Sequence, residues 1–394
     1  MGVTAIGTSV DRTPLDRGLF PVTEEYVYLD HAGIAPLPAP TVAAITAAAE
    51  AVATGGSVGE DERFDATDTT RQRAADLLGV PVDDVAFVKN TTEGLGFVAN
   101  GLDWRPGDRV VVPDEEFPST IFPWLGLADR DVEVVRVPPQ GPAGSLPLDA
   151  FARVLEAGPV RLVALSWVQF SKGWRTDLAG LAGLCHAHGA LLCVDVIQGL
   201  GLLPCHLGAW GVDFAAADAH KWLLGPEGCG VFYVAAEHRE SLRVLEPGWA
   251  SVAHRMEWGN LDLVYDDSAR RFEGGTPNMI GLAGLGASLE LLTRVGVAAI
   301  WRHVDARCDQ LREGLEAQGL VVVSDRRPAS APEGRSGILT FTVPGADPAV
   351  LHERLTARGV ICSPRGGGIR FAPHGYTSAE DIDIALEAVR LSTR

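Results

Sequence analysis

The stretch "DAHKWLLGPEGCG", residues 218–230, joins two apolar runs, "VDFAAA" at 212–217 and "VFYVAA" at 231–236. A lysine between two buried segments is costly unless it has a charged partner or loses its proton. Glycines begin four residues after Lys221 and allow the chain to turn tightly. The pattern therefore predicts that Lys221 is kept in the interior for a chemical reason.

Short β-rich runs alternate with longer helical stretches on both sides of this segment, which is typical of an α/β protein with a mainly parallel sheet. We predict one large doubly wound domain over residues 26–280. A smaller α/β C-terminal domain is predicted over residues 281–394, where fewer strands alternate with helices. The large domain contains seven predicted strands, "DVAFVK", "RVVVPD", "VEVVRV", "VRLVALSW", "ALLCVDV", "DFAAAD" and "GVFYVA".

The composition excludes several classes of protein. Of the 394 residues, 46% are hydrophobic, which is ordinary for a soluble globular chain. The net charge of −18, from 33 basic and 51 acidic side chains, argues against a nucleic-acid partner. No apolar run is long enough for a membrane span, and residues 1–30 do not read as a leader, so we expect a cytoplasmic protein. The six cysteines have no metal-ligand spacing, and we expect free thiols and no metal site.

The segment "VKNTTEGLG", residues 88–96, passes from a predicted strand into a predicted helix at Thr91 and Thr92. Free amides at a helix start, beside two hydroxyl groups, are suited to binding a phosphate. Plain N-capping by threonine is an equally good explanation when this motif is taken alone.

Two further residues follow predicted strands. Asp195 ends the apolar run in "LLCVDVIQGLG", where ligands of open α/β sheets bind, and it needs a positive partner there. Phe117 in "DEEFPSTIFPW" has a position from which its ring can stack on a flat ligand. Taken singly, Asp195 reads as a capping residue and Phe117 as a core residue. Together with Lys221 and the phosphate seat they point to pyridoxal 5'-phosphate, whose aldehyde forms a Schiff base with a lysine.

The chain resembles the class V aminotransferases, a family of fold-type I pyridoxal-phosphate enzymes that includes cysteine desulfurases, selenocysteine lyases, kynureninases and isopenicillin-N-epimerase-like enzymes. The resemblance runs from about residue 26 to the C-terminus. It is carried, in the order of the family, by "YLDHAGIAPLP", "NTTEG", "EFPSTIFPW", "VDVIQ", "DAHKWLLGPEGCG", "FEGGTPNM" and "GIRFAPHGYTSAEDID". It implies the fold-type I architecture, with residues 1–25 as an arm that packs on the small domain.

The resemblance also implies a role for each matching residue. Lys221 is the Schiff-base lysine and proton carrier, and Asp195 is the partner of the pyridine nitrogen. Gln198 contacts the phenolic oxygen of the ring, and Arg370 binds the α-carboxylate of the substrate. The phosphate is held by Thr91, Thr92 and His220, and by Thr276 of a second subunit, which implies a homodimer with shared active sites.

The remaining candidates are weaker. His31, Gln169 and His374 are candidates for substrate contact, although each histidine fits a structural role in a turn equally well. Two positions depart from the family. Phe117 replaces a ring-stacking histidine, and Asp218 replaces a serine, so we expect its carboxylate to turn away from the phosphate or to bond backbone amides.

The reaction is less directly indicated by the sequence. The segment before Arg370 is short, and Cys362 lies in a strand-like run instead of the longer loop that carries the nucleophilic cysteine of the family's desulfurases. We therefore expect an amino-acid enzyme with a C–S lyase-like β-elimination on cysteine or a cysteine S-conjugate. An aminotransferase or epimerase, a desulfurase, and a non-catalytic regulator that binds the cofactor are the alternatives.

Overall fold

The computed structural model describes residues 13–141, 143–327 and 333–393. Residues 1–12 of the predicted N-terminal arm lie outside the described residues. Helices and strands alternate through the first two thirds of the chain, in the order β1 Val27–Tyr28, α1 Ala39–Gly55, α2 Glu60–Leu78, β2 Val85–Val88, α3 Thr91–Gly101, β3 Arg109–Pro113, α4 Pro118–Leu125, β4 Glu133–Val137, α5 Leu148–Glu156, β5 Leu162–Ser166, α6 Leu178–Ala187, β6 Leu191–Asp195, α7 Leu207–Trp210, β7 Phe214–Asp218 and β8 Gly230–Val234.

Strands β2 to β8 form one seven-stranded sheet in the order β2-β8-β7-β6-β5-β3-β4. Neighbouring strands are parallel except at β8, which is antiparallel to both β2 and β7. All seven strands predicted from the sequence are present in this sheet, and the predicted fold class is confirmed. The sheet is mainly parallel because helices connect most of its strands and return the chain to the same edge.

The alternation of side chains along the strands builds two apolar cores, one on each face of the sheet. On β6, Leu192 and Val194 belong to the larger core, and Cys193 between them belongs to the smaller core on the opposite face. On β7, Ala215 and Phe214 divide in the same way. Because both faces are covered, these strands are apolar at nearly every position, as expected of a parallel sheet in an α/β protein.

The C-terminal part contains a second sheet, four-stranded and antiparallel, in the order β12-β13-β10-β9. Strand β1 pairs with β11 in parallel, so the start of the described chain is tied to its end. The elements of this part are α8 Met279–Val295, α9 Val297–Ala317, β9 Val321–Val322, β10 Leu339–Thr342, α10 Pro348–Thr356, β11 Val360–Ile361, β12 Ser363–Arg365, β13 Gly368–Phe371 and α11 Ala379–Ser392.

The described part of the N-terminal arm contacts the C-terminal elements. The amide of Leu15 donates to the carbonyl of Gly375 over 3.1 Å. Arg17 forms an ion pair with Asp381 in the first turn of α11. The rings of Phe20 and Tyr376 stack with centroids 3.8 Å apart.

Helix α8 packs against α1, as shown by the 2.6 Å hydrogen bond between the hydroxyls of Ser288 and Thr41. Its first residue is next to the boundary predicted at residue 280, and it packs against α1 and α2 of the large domain as well as against α9. The domain boundary itself remains a prediction. No single helix among residues 13–141, 143–327 and 333–393 has both the length and the apolar composition of a membrane span; α8 and α9 reach them only as a pair bent by 79°.

A buried carboxylate, Asp213, ties three elements together at the edge of the sheet opposite the ends of the parallel strands. Its oxygens lie 2.7 Å from Nε2 of His238 and 3.0 Å from Nε2 of His186, and they accept the amide of Leu192 over 2.6 Å. Burial raises the pKa of Asp213, but these hydrogen bonds lower it overall. In the described part of the chain no cluster of His, Cys, Asp and Glu is suited to a metal ion. The bonds of Asp213 join β6, α6 and the segment after β8, which is a structural role.

We expect Asp213→Asn to lower the free energy of unfolding at pH 7 by about 1–3 kcal/mol, because an amide replaces a charged acceptor of three hydrogen bonds. Urea unfolding followed by circular dichroism measures the change. Asp83→Asn, the same substitution outside this group, is the matched control and should stay within about 0.5 kcal/mol of the parent. Equal loss in both variants would contradict this assignment.

Candidate active site

A cavity of about 180 Å³ opens where the parallel strands β5, β6 and β7 end. This is the edge at which ligands of open α/β sheets bind. The cavity brings together seven of the residues predicted from the sequence with six others. Its lining consists of Asn90, Thr91, Thr92, Phe117, Ser119, Ser166, Phe170, Asp195, Ile197, Gln198, Asp218, His220 and Lys221.

Lys221 is placed in the cavity by a tight turn after β7. The amide of Leu224 donates to the carbonyl of Lys221 over 3.0 Å, and the amide of Gly225 donates to Ala219 over 2.9 Å. A Cβ atom at Gly225 would lie 2.7 Å from the Cβ of Ala219, so only glycine fits there. Leu224 has a φ of +57°, which costs a leucine about 1 kcal/mol or more and marks the turn as strained.

The environment of Lys221 makes its amine reactive. The residue is 9% exposed, and its Nζ lies 5.5 Å from the centre of the Phe117 ring. Burial lowers the pKa of Lys221 to about 8, against the opposing charge of Asp195 and with a further lowering from Arg370. A larger fraction of the amine is therefore neutral near physiological pH than in an ordinary lysine.

Asp195 ends β6 and lies on the floor of the cavity. Its Oδ1 accepts the amide of Ile197 over 2.9 Å, and its Oδ2 accepts the hydroxyl of Thr120 over 3.2 Å. Burial raises the pKa of Asp195, whereas the Ile197 amide, the charge of Lys221 and the Thr120 hydroxyl lower it. A buried carboxylate that keeps one side toward a cavity is suited to bind a cationic ring nitrogen.

The start of α3 forms the polar end of the cavity. Asn90 caps the helix by accepting the amide of Glu93 over 3.0 Å, so capping is done by Asn90 and not by the threonines. The Thr91 oxygen accepts the amide of Asp218 over 3.0 Å, which leaves its hydroxyl proton free to donate. The Thr92 hydroxyl lies 2.9 Å from that of Ser119. A helix start with two hydroxyl groups is suited to an anion.

Asp218 shares this end of the cavity with His220. One oxygen of Asp218 accepts the amide of Ala219 over 2.7 Å, which is one of the two arrangements expected from the sequence. The other oxygen lies 3.1 Å from Nδ1 of His220, too poorly aligned to count as a hydrogen bond. The Asp218 carboxylate is thus held by a backbone amide, and His220 lies beside it at the polar end of the cavity.

Gln198 lines the cavity with both ends of its side chain already bonded. Its oxygen accepts the indole N–H of Trp222 over 2.9 Å, and its nitrogen donates to the carbonyl of Ala32 over 3.0 Å. These bonds fix the orientation of the amide, and one N–H remains for a ligand.

Phe170 was missed in the sequence and forms the second aromatic wall of the cavity. Its ring meets that of Phe117 edge to face, with centroids 5.4 Å apart. Phe170 follows β5 by four residues, as Phe117 follows β3, and this shared position is the signal that could have identified it. Trp167, on the same stretch of chain, is buried against Trp210 and does not line the cavity.

The backbone that carries Phe170 is held by side chains from the C-terminal part of the chain. Four successive carbonyl oxygens, those of residues 170–173, each accept one hydrogen bond of 2.6–2.7 Å. The donors are Arg370, Thr340, Ser324 and Ser336, in that order. We call this group the carbonyl latch; it makes the small sheet a support for the wall of the cavity.

Arg370 lies behind the cavity lining and is 3% exposed. Its guanidinium donates to the carbonyl of Phe170 over 2.7 Å and to Oδ1 of Asp30 over 2.8 Å, and its Nε is buried without a partner. Burial lowers the pKa of Arg370, and the charge of Asp30 opposes that effect. Its role as the carboxylate-binding residue stays a prediction.

His31, His374 and Gln169 do not line the cavity. His31 is fully buried between the carbonyl of Ala372 and the hydroxyl of Tyr376, at 2.8 and 2.7 Å. Burial lowers the pKa of His374 to about 4, and that of His31 falls as well. Gln169 closes its own turn by accepting the amide of Lys172 over 2.7 Å. These bonds favour structural roles for all three residues, and their contact with substrate stays a prediction.

Thr276 lies in the segment before α8 and lines a different cavity, of about 360 Å³, with Lys89, Glu93 and Glu246. Within one chain it therefore does not reach the phosphate seat. Its predicted role toward the cofactor of a second subunit, and the homodimer with it, remain predictions.

Residues 27–384 match the family "Aminotransferase class-V", and the chain belongs to this family. It is a pyridoxal-phosphate-dependent enzyme, as the resemblance predicted. The chain is similar to a "Probable cysteine desulfurase" of Methanothermobacter thermautotrophicus, with 30% identity over 96% of this chain and 97% of the relative.

Two solved structures have the same fold. One is the cystine C-S lyase C-DES in complex with its reaction product cysteine persulfide, at 25% identity and a TM-score of 0.84 over 95% of this chain and 99% of that one. The other is the apo cysteine desulfurase of Thermococcus onnurineus NA1, at 24% identity and a TM-score of 0.83 over 98% of both chains.

The residues of the cavity fit pyridoxal phosphate. Lys221 offers a buried amine of lowered pKa at one side, Asp195 a buried carboxylate at the floor, and the start of α3 an anion seat. Phe117 and Phe170 supply apolar walls for a flat ring. We assign attachment of the aldehyde to Lys221 and of the phosphate to Thr91, Thr92 and His220 as proposals.

The lowered pKa of Lys221 predicts how the apoprotein takes up its cofactor. Only the neutral amine attacks an aldehyde, so the rate of uptake should rise with pH and level off above about 8. Stopped-flow absorbance of apoprotein mixed with pyridoxal phosphate between pH 6 and 10 measures this rate. A rate that continues to rise toward pH 10 would indicate an ordinary lysine.

The chain has only three lysines, Lys89, Lys172 and Lys221, which makes the attachment site easy to identify. After borohydride reduction, mass spectrometry should find the cofactor on the peptide that contains Lys221. Lys89→Arg, at a lysine whose side chain is 68% exposed, should leave the labelling unchanged. A label on another lysine would disprove the assignment.

The carbonyl latch predicts that Thr340→Val weakens cofactor binding about three- to tenfold, because a buried carbonyl loses its donor and the Phe170 wall loosens. Equilibrium titration of the apoprotein, followed by tryptophan fluorescence, measures the dissociation constant. Thr342→Val, the same change at the end of β10, is the matched control. An unchanged dissociation constant in Thr340→Val would show that the latch does not support the wall.

Proposed function

We propose that this enzyme is a C–S lyase that acts on cysteine S-conjugates, with cystine as one member of the class. The reaction removes a thiol from the β-carbon of the amino acid. An S-conjugate and water give a thiol, pyruvate and ammonia, with no oxidant or reductant required. In cystine the departing group is cysteine persulfide.

Each residue of the cavity has a defined task in this proposal. The bound cofactor takes up the electron pair that is released when the Cα–H bond breaks. Lys221 Nζ accepts the Cα proton, for which a pKa of about 8 is suitable near neutral pH. Arg370 binds the α-carboxylate. Phe117 and Phe170 exclude water from the reacting carbon.

The observation that carries the proposal is the state of the cysteines. All six are buried, and none lines the cavity. Cys362, the one nearest to Arg370 along the chain, is 3% exposed, and burial raises its pKa to about 12. A buried thiol of this kind cannot serve as the thiolate nucleophile that takes sulfur from a substrate. Sulfur therefore leaves with the product instead of being transferred to the enzyme.

The similar proteins support a reaction on a sulfur amino acid. Relatives named as cysteine desulfurases and a structural neighbour named as a cystine C-S lyase all take their names from sulfur amino acids. Transamination and epimerisation begin with the same removal of the Cα proton. They differ from the lyase reaction in their later steps, and the products distinguish them.

The test is a product assay with S-methylcysteine, cystine, cysteine and alanine as separate substrates. We expect pyruvate together with an equal amount of methanethiol from S-methylcysteine or of cysteine persulfide from cystine, and no conversion of the cofactor to its amine form. Alanine has no leaving group and should give no pyruvate. Amine-form cofactor would instead indicate an aminotransferase, and loss of optical activity without pyruvate an epimerase.

Two variants complete the test. Lys221→Ala should lower kcat by at least about 10³-fold, because the proton carrier is absent. Cys362→Ala should retain the activity of the parent toward S-conjugates and toward cysteine. Sulfide release from cysteine that is lost in Cys362→Ala would identify a desulfurase and refute the proposal.

A further inference from the structure

A second buried carboxyl group lies behind Asp195. Glu116 follows β3 and is 7% exposed. Its Oε1 accepts the amide of Ser166 over 2.7 Å, and its Oε2 accepts the hydroxyl of Ser166 over 2.6 Å. Neither the proposed mechanism nor the sequence motifs give this group a task.

Hydrogen bonds connect the two carboxyl groups. The Thr120 hydroxyl donates to Oδ2 of Asp195 over 3.2 Å and lies 3.5 Å from the hydroxyl oxygen of Ser166. Ser166 and Asp195 are also paired across β5 and β6. The result is a buried chain from Glu116 through Ser166 and Thr120 to Asp195, which we call the carboxyl relay.

The carboxyl relay has two arrangements. When Glu116 is ionised, it accepts the Ser166 proton, and two negative carboxylates share one buried region. When Glu116 is protonated, it donates to the Ser166 oxygen, and the Ser166 hydroxyl becomes free to donate toward Thr120. All donors then point toward Asp195, whose negative charge is stabilised.

The charged surroundings of Glu116 permit this change near neutral pH. Burial raises the pKa of Glu116 to about 7, the bonds from Ser166 lower it, and the charge of Asp195 raises it further. The charge of Lys221, in the turn after β7, lowers the pKa of Asp195. Glu115, on the same segment, points away and pairs with Lys172 over 2.7 Å.

We propose that Glu116 is a positioning residue that sets, through Ser166 and Thr120, the charge which Asp195 presents to the ring nitrogen of the cofactor. The inference rests on the proposed role of Asp195 but not on the proposed lyase reaction. Protonation of Glu116 strengthens the support for a protonated ring, and ionisation of Glu116 weakens it.

The first test is a pH titration of the visible absorption of the bound cofactor, which requires no turnover. Glu116→Gln copies the protonated state toward Ser166, because its amide oxygen accepts the Ser166 amide and its NH₂ donates to the Ser166 hydroxyl; it loses only the 3.3 Å bond from the Phe117 amide. We expect the parent to show a spectral step near pH 7 that Glu116→Gln abolishes. Glu115→Gln, the matched control at an exposed neighbour, should keep the step. A step retained in Glu116→Gln overturns the proposal.

The second test is a double-mutant cycle with Thr120→Val, which cuts the carboxyl relay beside Asp195 and leaves Glu116 in place. Thr120→Val should also lose the step, and adding Glu116→Gln should change the spectrum no further. Additive effects of the two substitutions would show that Glu116 acts without the relay. Thr120→Val alone decides the matter if Glu116→Gln fails to fold, since a retained step again overturns the proposal.

The third test uses the apoprotein and is independent of the cofactor. Infrared difference spectra between pH 6 and 8 should show a carboxyl group losing its proton, in the parent and in Thr120→Val but not in Glu116→Gln. The same spectra in the parent and in Glu116→Gln would show that Glu116 does not titrate. Failure of the lyase assay with success of all three tests would reject the reaction and keep the carboxyl relay.

Discussion

The site depends on one constraint, which is that an amine and a carboxylate are buried together where parallel strands end. Lys221 and Asp195 are 9% and 3% exposed. Each alone would be expensive to remove from water, and the charge of each reduces the cost of the other. Neighbouring parallel strands bring them together, because β6 ends at Asp195 and β7 ends three residues before Lys221. A cofactor that binds the amine covalently and places its ring nitrogen against the carboxylate would give both groups a partner.

The sheet and the main site residues were predictable because they obey local rules. Strands covered on both faces are apolar at successive positions, and all seven in the large sheet were recognised in this way. Asp195, Thr91 and Phe117 each come after such a strand or at its end, and the ends of parallel strands meet at one edge. Position along the chain was therefore enough to place Thr91, Asp195 and Lys221 around one cavity.

Other features depended on contacts between residues far apart in sequence. Gln169 and His31 look like polar residues near a site, but their polar atoms are used within the fold. Phe170 reaches the cavity because it lies in the turn that Gln169 closes, and because the carbonyl latch holds that turn from the C-terminal part of the chain. Glu116 gains its partners only when β5 lies beside the segment after β3. The position of Phe170 four residues after β5 can be read from the sequence, but no periodicity or spacing predicts the hydrogen bonds that these residues form.

Arg370 shows how the two sheets share one task. Its Nη1 donates to the carbonyl of Phe170 in the wall of the cavity, and its Nη2 donates to the carboxylate of Asp30. A substrate carboxylate at the proposed site would meet a guanidinium already paired with a carboxylate. Asp30 also accepts the hydroxyl of Ser363 over 2.6 Å, so it would keep a partner if Arg370 bound a substrate carboxylate as proposed. Replacing the Asp30 carboxylate by the carboxylate of a substrate would keep the charge around the guanidinium unchanged. A substrate amine that has no carboxylate would leave Arg370 paired with Asp30. If Arg370 has the proposed role, competition between two carboxylates for one buried cation would select α-amino acids over simple amines.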